Sequence, residues 1–247
     1  MRRIFTLTNR NIKEILRDPL SLIFMVALPL FMELLFYFLF HSLTSQFEMK
    51  YLAPGIVVFS QAFLTLFTGL LLSTDKNTSF LTRLYVSGAK SYEFIFGYAL
   101  SVLPIAAAQS ILFFLVGGII DASIFGISML FAIILSCFFT SLFFIACGIL
   151  FGSICNEKSI GGISSIVIVG QSVLSGMWFP VEGLSGAMVA FMKALPFRNA
   201  TTLIQNTLNG INSGFDDFIY PLIIVLIYTV LVFITAILVF RNKMKEK

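Results

Sequence analysis

Charge is what this sequence has least of. Only 11% of its 247 residues are Asp, Glu, Lys or Arg, against 58% hydrophobic, where a soluble domain carries about 25% charged residues. That excludes a water-soluble globular fold. Histidine occurs once, at His41, so neither a paired-histidine metal centre nor a Ser/His catalytic pair can be assembled. Cys137, Cys147 and Cys155 fall in or at the end of one apolar stretch without CxxC spacing and read as small apolar residues. There is no GxxxxGK[ST], so the chain cannot cradle nucleotide phosphates in the P-loop manner, and no HExxH. Asp216 and Asp217 are adjacent and read as a solvated helix start, not a catalytic pair. The expectation is a chain that is no enzyme by itself. No short apolar core with a cleavage site follows Arg2 and Arg3, no repeat relates the halves, and no linker or low-complexity segment interrupts them. These absences argue against a cleavable signal peptide, an inverted-repeat carrier and a multidomain chain.

What is present is a series of long uncharged runs, at 51–74, 94–120, 122–156, 159–181 and 218–240, with 19–40 broken only by Glu33. Each exceeds the roughly 20 residues needed to cross a bilayer core. The pattern predicts an all-α integral membrane protein, one domain over 1–247, with six transmembrane helices at about 20–40, 52–74, 93–118, 124–152, 159–179 and 218–240. A β-barrel would instead show short alternating segments. With six spans, 13 of the 16 Lys and Arg residues fall on one side, leaving Lys50, Lys193 and Arg198 on the other. Positive charge marks the inner face, so both termini and the 75–92 loop are expected in the cytoplasm.

Ile4, Phe5, Thr8, Ile12, Ile15 and Leu16 recur at helical spacing among Arg2, Arg3, Arg10, Lys13 and Arg17. Residues 2–18 thus read as an amphipathic helix at the inner surface, against anionic headgroups, or as a basic tail that sets topology. Asp18-Pro19 ends this segment. Glu33 stands about 21 Å along the first span from Pro19, either facing a partner or a wet cavity, or close enough to the outer boundary to be solvated or protonated. The uncharged run at 122–156 is 35 residues long, so the fourth span is tilted and extended or broken. Within it, Gly148-Ile-Leu-Phe-Gly152 is a small-xxx-small pattern. Residues 180–217 are too apolar for a solvated loop and too interrupted by Pro180 and Pro196 to span. They predict short outer re-entrant or interfacial helices. Asn199-Ala-Thr201 matches a glycosylation acceptor by pattern.

The loop at 75–92 combines bases with Phe80, Leu81, Leu84 and Tyr85. Such a mixture suits a docking surface, and equally a segment lying on the membrane. Here the chain resembles the membrane subunits of ABC type-2 exporters, the permeases that share a fold with ABCG-like transporters. The resemblance covers essentially the whole sequence in order. It rests on 11–19 with the following Pro29, Ala53-Pro-Gly55, Leu81-Thr-Arg83-Leu84 with Ser87, Glu93 and Gly97, and then Ser175-Gly-Met-Trp-Phe-Pro180, Leu195-Pro196 and Leu208-Asn-Gly210. Departures occur at Asn77-Thr-Ser79, where the family commonly has Gly-Thr and an acid, at Gly88, where Pro commonly stands, and near Gly186, which lacks a neighbouring Pro.

That resemblance implies a permease of an ATP-driven exporter for a small hydrophobic or amphipathic substrate such as a drug, peptide antibiotic or lipid. It implies two copies of a separate ATPase subunit, which bind ATP and Mg, and a second permease chain, identical or sibling. No cofactor in this chain and no nucleic acid are expected; membrane lipids are. The location implied is a bacterial or archaeal cytoplasmic membrane. Phe80, Leu81, Arg83, Leu84, Tyr85 and Glu93 would couple to the ATPase, Glu93 by pairing with a base of the 2–18 helix. Glu33, Phe59, Gln61, Phe63, Phe67, Gln171 and Met177 would line the substrate path. A carrier or channel not linked to ATP would need ionisable residues inside the spans, of which only Glu33 qualifies; a membrane scaffold is the third reading.

Overall fold

The computed structural model describes residues 2–78, 80, 90–179, 181–210 and 215–245. Among them every regular element is helical. Helix α1 (Arg2–Leu16) is followed by α2 (Pro19–Phe40), the boundary falling at Asp18-Pro19 as expected. Pro lacks the N–H that an incoming helix would need, and its fixed φ suits a first helical position. Next come α3 (Met49–Asn77) and α4 (Ser91–Ile120). Helix α5 (Ile127–Leu135) runs through a π-turn (Ser136–Thr140) into α6 (Ser141–Ile154), and α7 (Glu157–Leu174) follows. Two shorter helices, α8 (Gly186–Ala194) and α9 (Pro196–Leu208), precede a second π-turn (Phe215–Ile219) and α10 (Tyr220–Lys245).

Five stretches among the described residues are long and apolar enough to cross a membrane: 22–40, 49–76, 91–120, 127–154 and 216–243. The segment expected as the fifth of six spans is α7. It has 18 residues, opens with Glu157-Lys158 and carries Gly161, Gly162, Ser164, Ser165, Gln171 and Ser172, which makes it less apolar than the others. The long uncharged run at 122–156 is one helical column interrupted by the π-turn, a single-residue bulge of the kind that bends helices.

Helix α3 is central. It is 78% buried along its apolar stretch, against 17% for α2 and for α10, and it packs on α2, α4, α6, α7 and α9. Its seam with α6 explains the small-xxx-small pattern. A Cβ at Gly148 would lie 2.6 Å from the Thr65 carbonyl oxygen, and one at Gly152 would lie 2.8 Å from that of Gly69. Neither separation is sterically possible, so backbone meets backbone only because both positions are glycine. Midway along, Gln61 Nε2 donates to Ser110 Oγ and to the Ser136 carbonyl, each at 3.2 Å, while Thr140 Oγ1 donates to Gln61 Oε1. These bonds satisfy polar groups that lipid cannot, and they tie the π-turn to α3 and α4.

Asn199 is buried, and its Nδ2 donates to the carbonyls of Lys193 at 2.7 Å and Leu195 at 2.6 Å. It joins α8 to α9, and its amide nitrogen is already committed there. Asp216 and Asp217 are exposed at the approach to α10, as a solvated helix start requires.

Candidate functional site

At the end of the bundle that carries α1, three helices meet on one carboxylate. Helix α1 lies across α4 because position 97 is glycine: a Cβ there would fall 2.6 Å from Leu7 Cδ2. Thr8 Oγ1 also donates to the Gly97 carbonyl at 3.2 Å. With the helix pressed this close, Arg10 reaches Asp75 in the last turns of α3. Arg10 Nη2 donates to Asp75 Oδ1 at 2.7 Å and Nη1 to Oδ2, a two-pronged pair. From α4, Tyr98 donates its hydroxyl to Asp75 Oδ2. The Asp75 side chain is 2% exposed and that of Arg10 is 36% exposed. A buried carboxylate is tolerable when charge-assisted donors satisfy it, and here they come from two other helices.

The rest of the junction is built on Arg10. Its guanidinium pairs with Glu14 Oε2 at 2.7 Å, one turn along α1, and donates to Asn11 Oδ1 at 3.1 Å. It also lies over the ring of Phe80, 4.3 Å from the centroid, a cation–π contact. Burial works against the Arg10 charge, and the hydrogen bond and charge of Asp75 more than offset it, holding Arg10 above its ordinary range. Burial pushes the Glu14 carboxyl up, Asp75 repels it in the same direction, and Arg10 pulls it back only in part.

Next to Asp75 in sequence, Lys76 points to another helix. Its Nζ donates to the carbonyls of Gly152 (3.1 Å), Ser153 (3.2 Å) and Cys155 (2.7 Å). These are the oxygens that the C-terminus of α6 leaves without helical partners, where a cation is favoured. One turn of α3 is therefore pinned to α1 and α4 by an acid and to α6 by a base.

Of the residues expected to couple to an ATPase, Phe80 sits under Arg10, so the start of the 75–92 loop is tied to α1. Leu81, Arg83, Leu84 and Tyr85 lie outside the described residues. Among the described residues Glu93 makes no ion pair with a base of α1. Its Oε2 accepts from the Lys90 backbone N–H at 2.8 Å and caps its own helix. The acid that α1 engages is Asp75. The signal for this was an Asp-Lys pair closing an apolar run, with Tyr98 one turn beyond Phe94 in the next.

The residues expected along a substrate path are dispersed. Glu33 is fully buried between α2 and α4, with neither carboxylate oxygen hydrogen-bonded among the described residues. A Cβ at Gly117 would come within 3.6 Å of it. Gln61 belongs to the hydrogen-bond cluster described above. Gln171 donates to Thr201 Oγ1 at 2.9 Å and joins α7 to α9. Met177 is buried against Gly55. Phe59 meets Phe63 edge-on at 5.4 Å and Trp178 at 6.2 Å. Phe67 lines a cavity of about 260 Å³ between α1, α2, α3 and α4, with Leu22, Met25, Leu64 and Glu14.

Comparison with known proteins returns two findings. A family described as "ABC-2 type transporter" matches residues 2–209. A relative from Streptomyces coeruleorubidus named "Daunorubicin resistance ABC transporter permease protein DrrB1" is 27% identical over 208 residues, covering 81% of this chain and 72% of the relative.

Proposed function

This chain belongs to the ABC-2 type transporter family, and on that premise we propose that it is the permease of an ATP-driven exporter, with α1 and the 75–92 loop facing the cytoplasm. It is the membrane subunit of an ABC transporter, and permeases of this family work with a separate ATPase subunit. Our reading goes further. Two ATPase copies, which bind ATP and Mg, dock on the loop around Leu81, Arg83, Leu84 and Tyr85. A second permease chain, identical or sibling, completes the pathway. Helix α7 is the fifth of six spans, α8 and α9 lie at the outer surface, and α1 lies on the inner surface of a bacterial or archaeal cytoplasmic membrane. The cargo is a small hydrophobic or amphipathic molecule moved outward, a class supported by the drug resistance in the relative's name.

The observation that carries the reading is the junction on Asp75. Movement imposed on the 75–92 loop reaches Phe80, passes to Arg10 on α1, and from Asp75 and Tyr98 enters α3 and α4 together. A link of this kind is what a chain without nucleotide-binding residues needs if a neighbour supplies the energy.

The test is affinity purification of the tagged chain in mild detergent from its native host. A co-purifying ATP-hydrolysing subunit, lost on Arg83→Glu and on Leu84→Asp, is the expected result. A folded chain that never brings down an ATPase would refute the exporter reading.

A further inference from the structure

Among the described residues two acids are buried, Asp75 and Glu33, and their surroundings are opposite. Asp75 is held by Arg10 and Tyr98. Glu33 is 0% exposed, neither of its oxygens has a hydrogen-bond partner, and none of the ion pairs includes it. A Cβ at Gly117 of α4 would meet Ala53 Cβ at 3.0 Å, Ile124 Cδ1 at 3.3 Å and Glu33 Oε1 at 3.6 Å, so the carboxyl is enclosed by α4, by α3 and by the turn after α4. The titratable groups of these elements are engaged elsewhere. On α2, Tyr37 stacks on His41. At the start of α3, Lys50 pairs with Glu48 and lies over Tyr51. Beyond α4, Asp121 accepts from the Ser123 N–H. An ionised carboxylate enclosed with neither donor nor counter-charge is far costlier than the neutral acid, so this packing selects a proton on Glu33.

The helix that carries Glu33 has a weak point one turn before it. Pro29 has no N–H, so the Met25 carbonyl loses its helical donor, and Gln109 Nε2 of α4 donates to it instead at 3.3 Å. That bond pins α2 to α4 ahead of the proline. Past Pro29, where a helix bends most readily, no hydrogen bond joins the two helices among the described residues, and Glu33 itself is what α2 lays against Gly117. We propose that Glu33 is a proton-binding site whose occupancy decides whether the half of α2 after Pro29 stays against α4. With the proton on, the acid is neutral and the seam is closed as described. With the proton passed to water, the carboxylate draws α2 off Gly117 towards a solvated position. Closure is therefore complete at acidic pH and is lost as pH rises. This inference does not rest on the exporter reading.

The test takes the full chain in nanodiscs of zwitterionic lipid, without ATPase or cargo, so its outcome leaves the exporter reading untouched. Infrared difference spectroscopy is expected to show the carbonyl stretch of a neutral carboxylic acid near neutral pH, shifted down in heavy water and lost in Glu33→Gln. Spin labels on Leu39→Cys and Ile119→Cys, both exposed positions, in a Cys155→Ser background, report the separation of α2 and α4 by pulsed electron resonance across a pH titration. In the parent chain a short distance is expected to give way to a longer one as pH rises, with the infrared band fading over the same range. Glu33→Gln, which copies the neutral acid, should hold the short distance throughout, and Glu33→Asp should restore the titration. Glu33→Met, equally without a proton to lose, stands in should the glutamine variant fail to fold. An infrared band that survives Glu33→Gln overturns the assignment. So does a distance that ignores pH in the parent chain, or one that responds to pH equally in Glu33→Gln or Glu33→Met.

Discussion

The Arg10–Asp75 pair yields a prediction in which the two partners are unequal. Arg10 keeps about a third of its side chain exposed and has Glu14 as a second partner, whereas Asp75 is 2% exposed and, among the described residues, its carboxylate has only Tyr98 besides Arg10. Arg10→Met strands a buried carboxylate, and breaking a buried pair this way costs about 3–5 kcal/mol. Partial exposure of the arginine and the surviving Tyr98 bond put the expected loss at the low end, about 3 kcal/mol. Asp75→Asn leaves a neutral acceptor for Tyr98 and lets Arg10 turn to Glu14 and water. Its cost is closer to that of one weakened hydrogen bond, about 1 kcal/mol. For a chain of this length 1 kcal/mol corresponds to about 2–4 °C in the midpoint. Thermal unfolding in micelles, followed by circular dichroism, should therefore separate Arg10→Met from Asp75→Asn by roughly 4–8 °C, the arginine variant being worse. Equal losses, or a larger loss for Asp75→Asn, would refute the reasoning. They would mean that Asp75 is already relieved by something other than Arg10.

Other expectations follow from the same geometry. Gly148→Val places a Cβ 2.6 Å from a carbonyl oxygen of α3, and such overpacking against backbone should cost about 3 kcal/mol or more, read as loss of the monodisperse peak on size-exclusion. Gly161→Ala is the control, since a Cβ there meets nothing within 4 Å; it should raise the midpoint by up to about 1 kcal/mol worth of helix propensity. Lys76→Met deprives the carbonyls of Gly152 and Ser153 at the end of α6, and of Cys155 just beyond it, of their donor; protease cleavage near 153–156 should speed up, and unchanged kinetics would argue against the cap. Glu14 is raised above its ordinary range by burial and then by Asp75. The neutral form is thus favoured in the folded state, so its contribution is present at acidic pH and lost as pH rises through its folded value. Glu14→Gln should flatten that part of the stability–pH curve, and an unaltered curve would count against the assignment.

The sequence carried the helical architecture in its charge pattern, because uncharged runs and Pro breaks are local. The Asp18-Pro19 boundary and the short helix pair at 186–208 follow from such signals. The Gly148–Gly152 spacing likewise marked the close approach of α6 to α3, although spacing alone does not name the partner helix. The junction was much less legible. Arg10 and Asp75 are 65 residues apart and Asp75 and Tyr98 are 23 apart, so no periodicity links them. Asp75 reads as the first residue of a loop, yet α3 continues past it and buries it. Glu93 reads as the natural partner for a base of α1, but an acid three residues after a helix start finds its own backbone N–H first. Glu33 read either as facing a partner or a wet cavity, or as a boundary acid, and spacing along the span does not choose between them. It lies fully enclosed between helices, a fact that depends on where α4 places Gly117.

Asp75 and Lys76 restrict how α3 can move. Neighbouring residues of a helix project about 100° apart, and here one is bolted to α1 and α4 while the other is bolted to α6. Any twist of α3 about its own axis would pull both side chains off their partners at once, in opposite senses. Tilting α3 with α1 and α4 as one lever keeps the Asp75 fastening and loads only that of Lys76. The turn thus filters motion. A rocking of α3 together with α1 and α4 would pass through it and a rotation would be resisted, with the Lys76 contacts to α6 as the first to yield when the displacement is large.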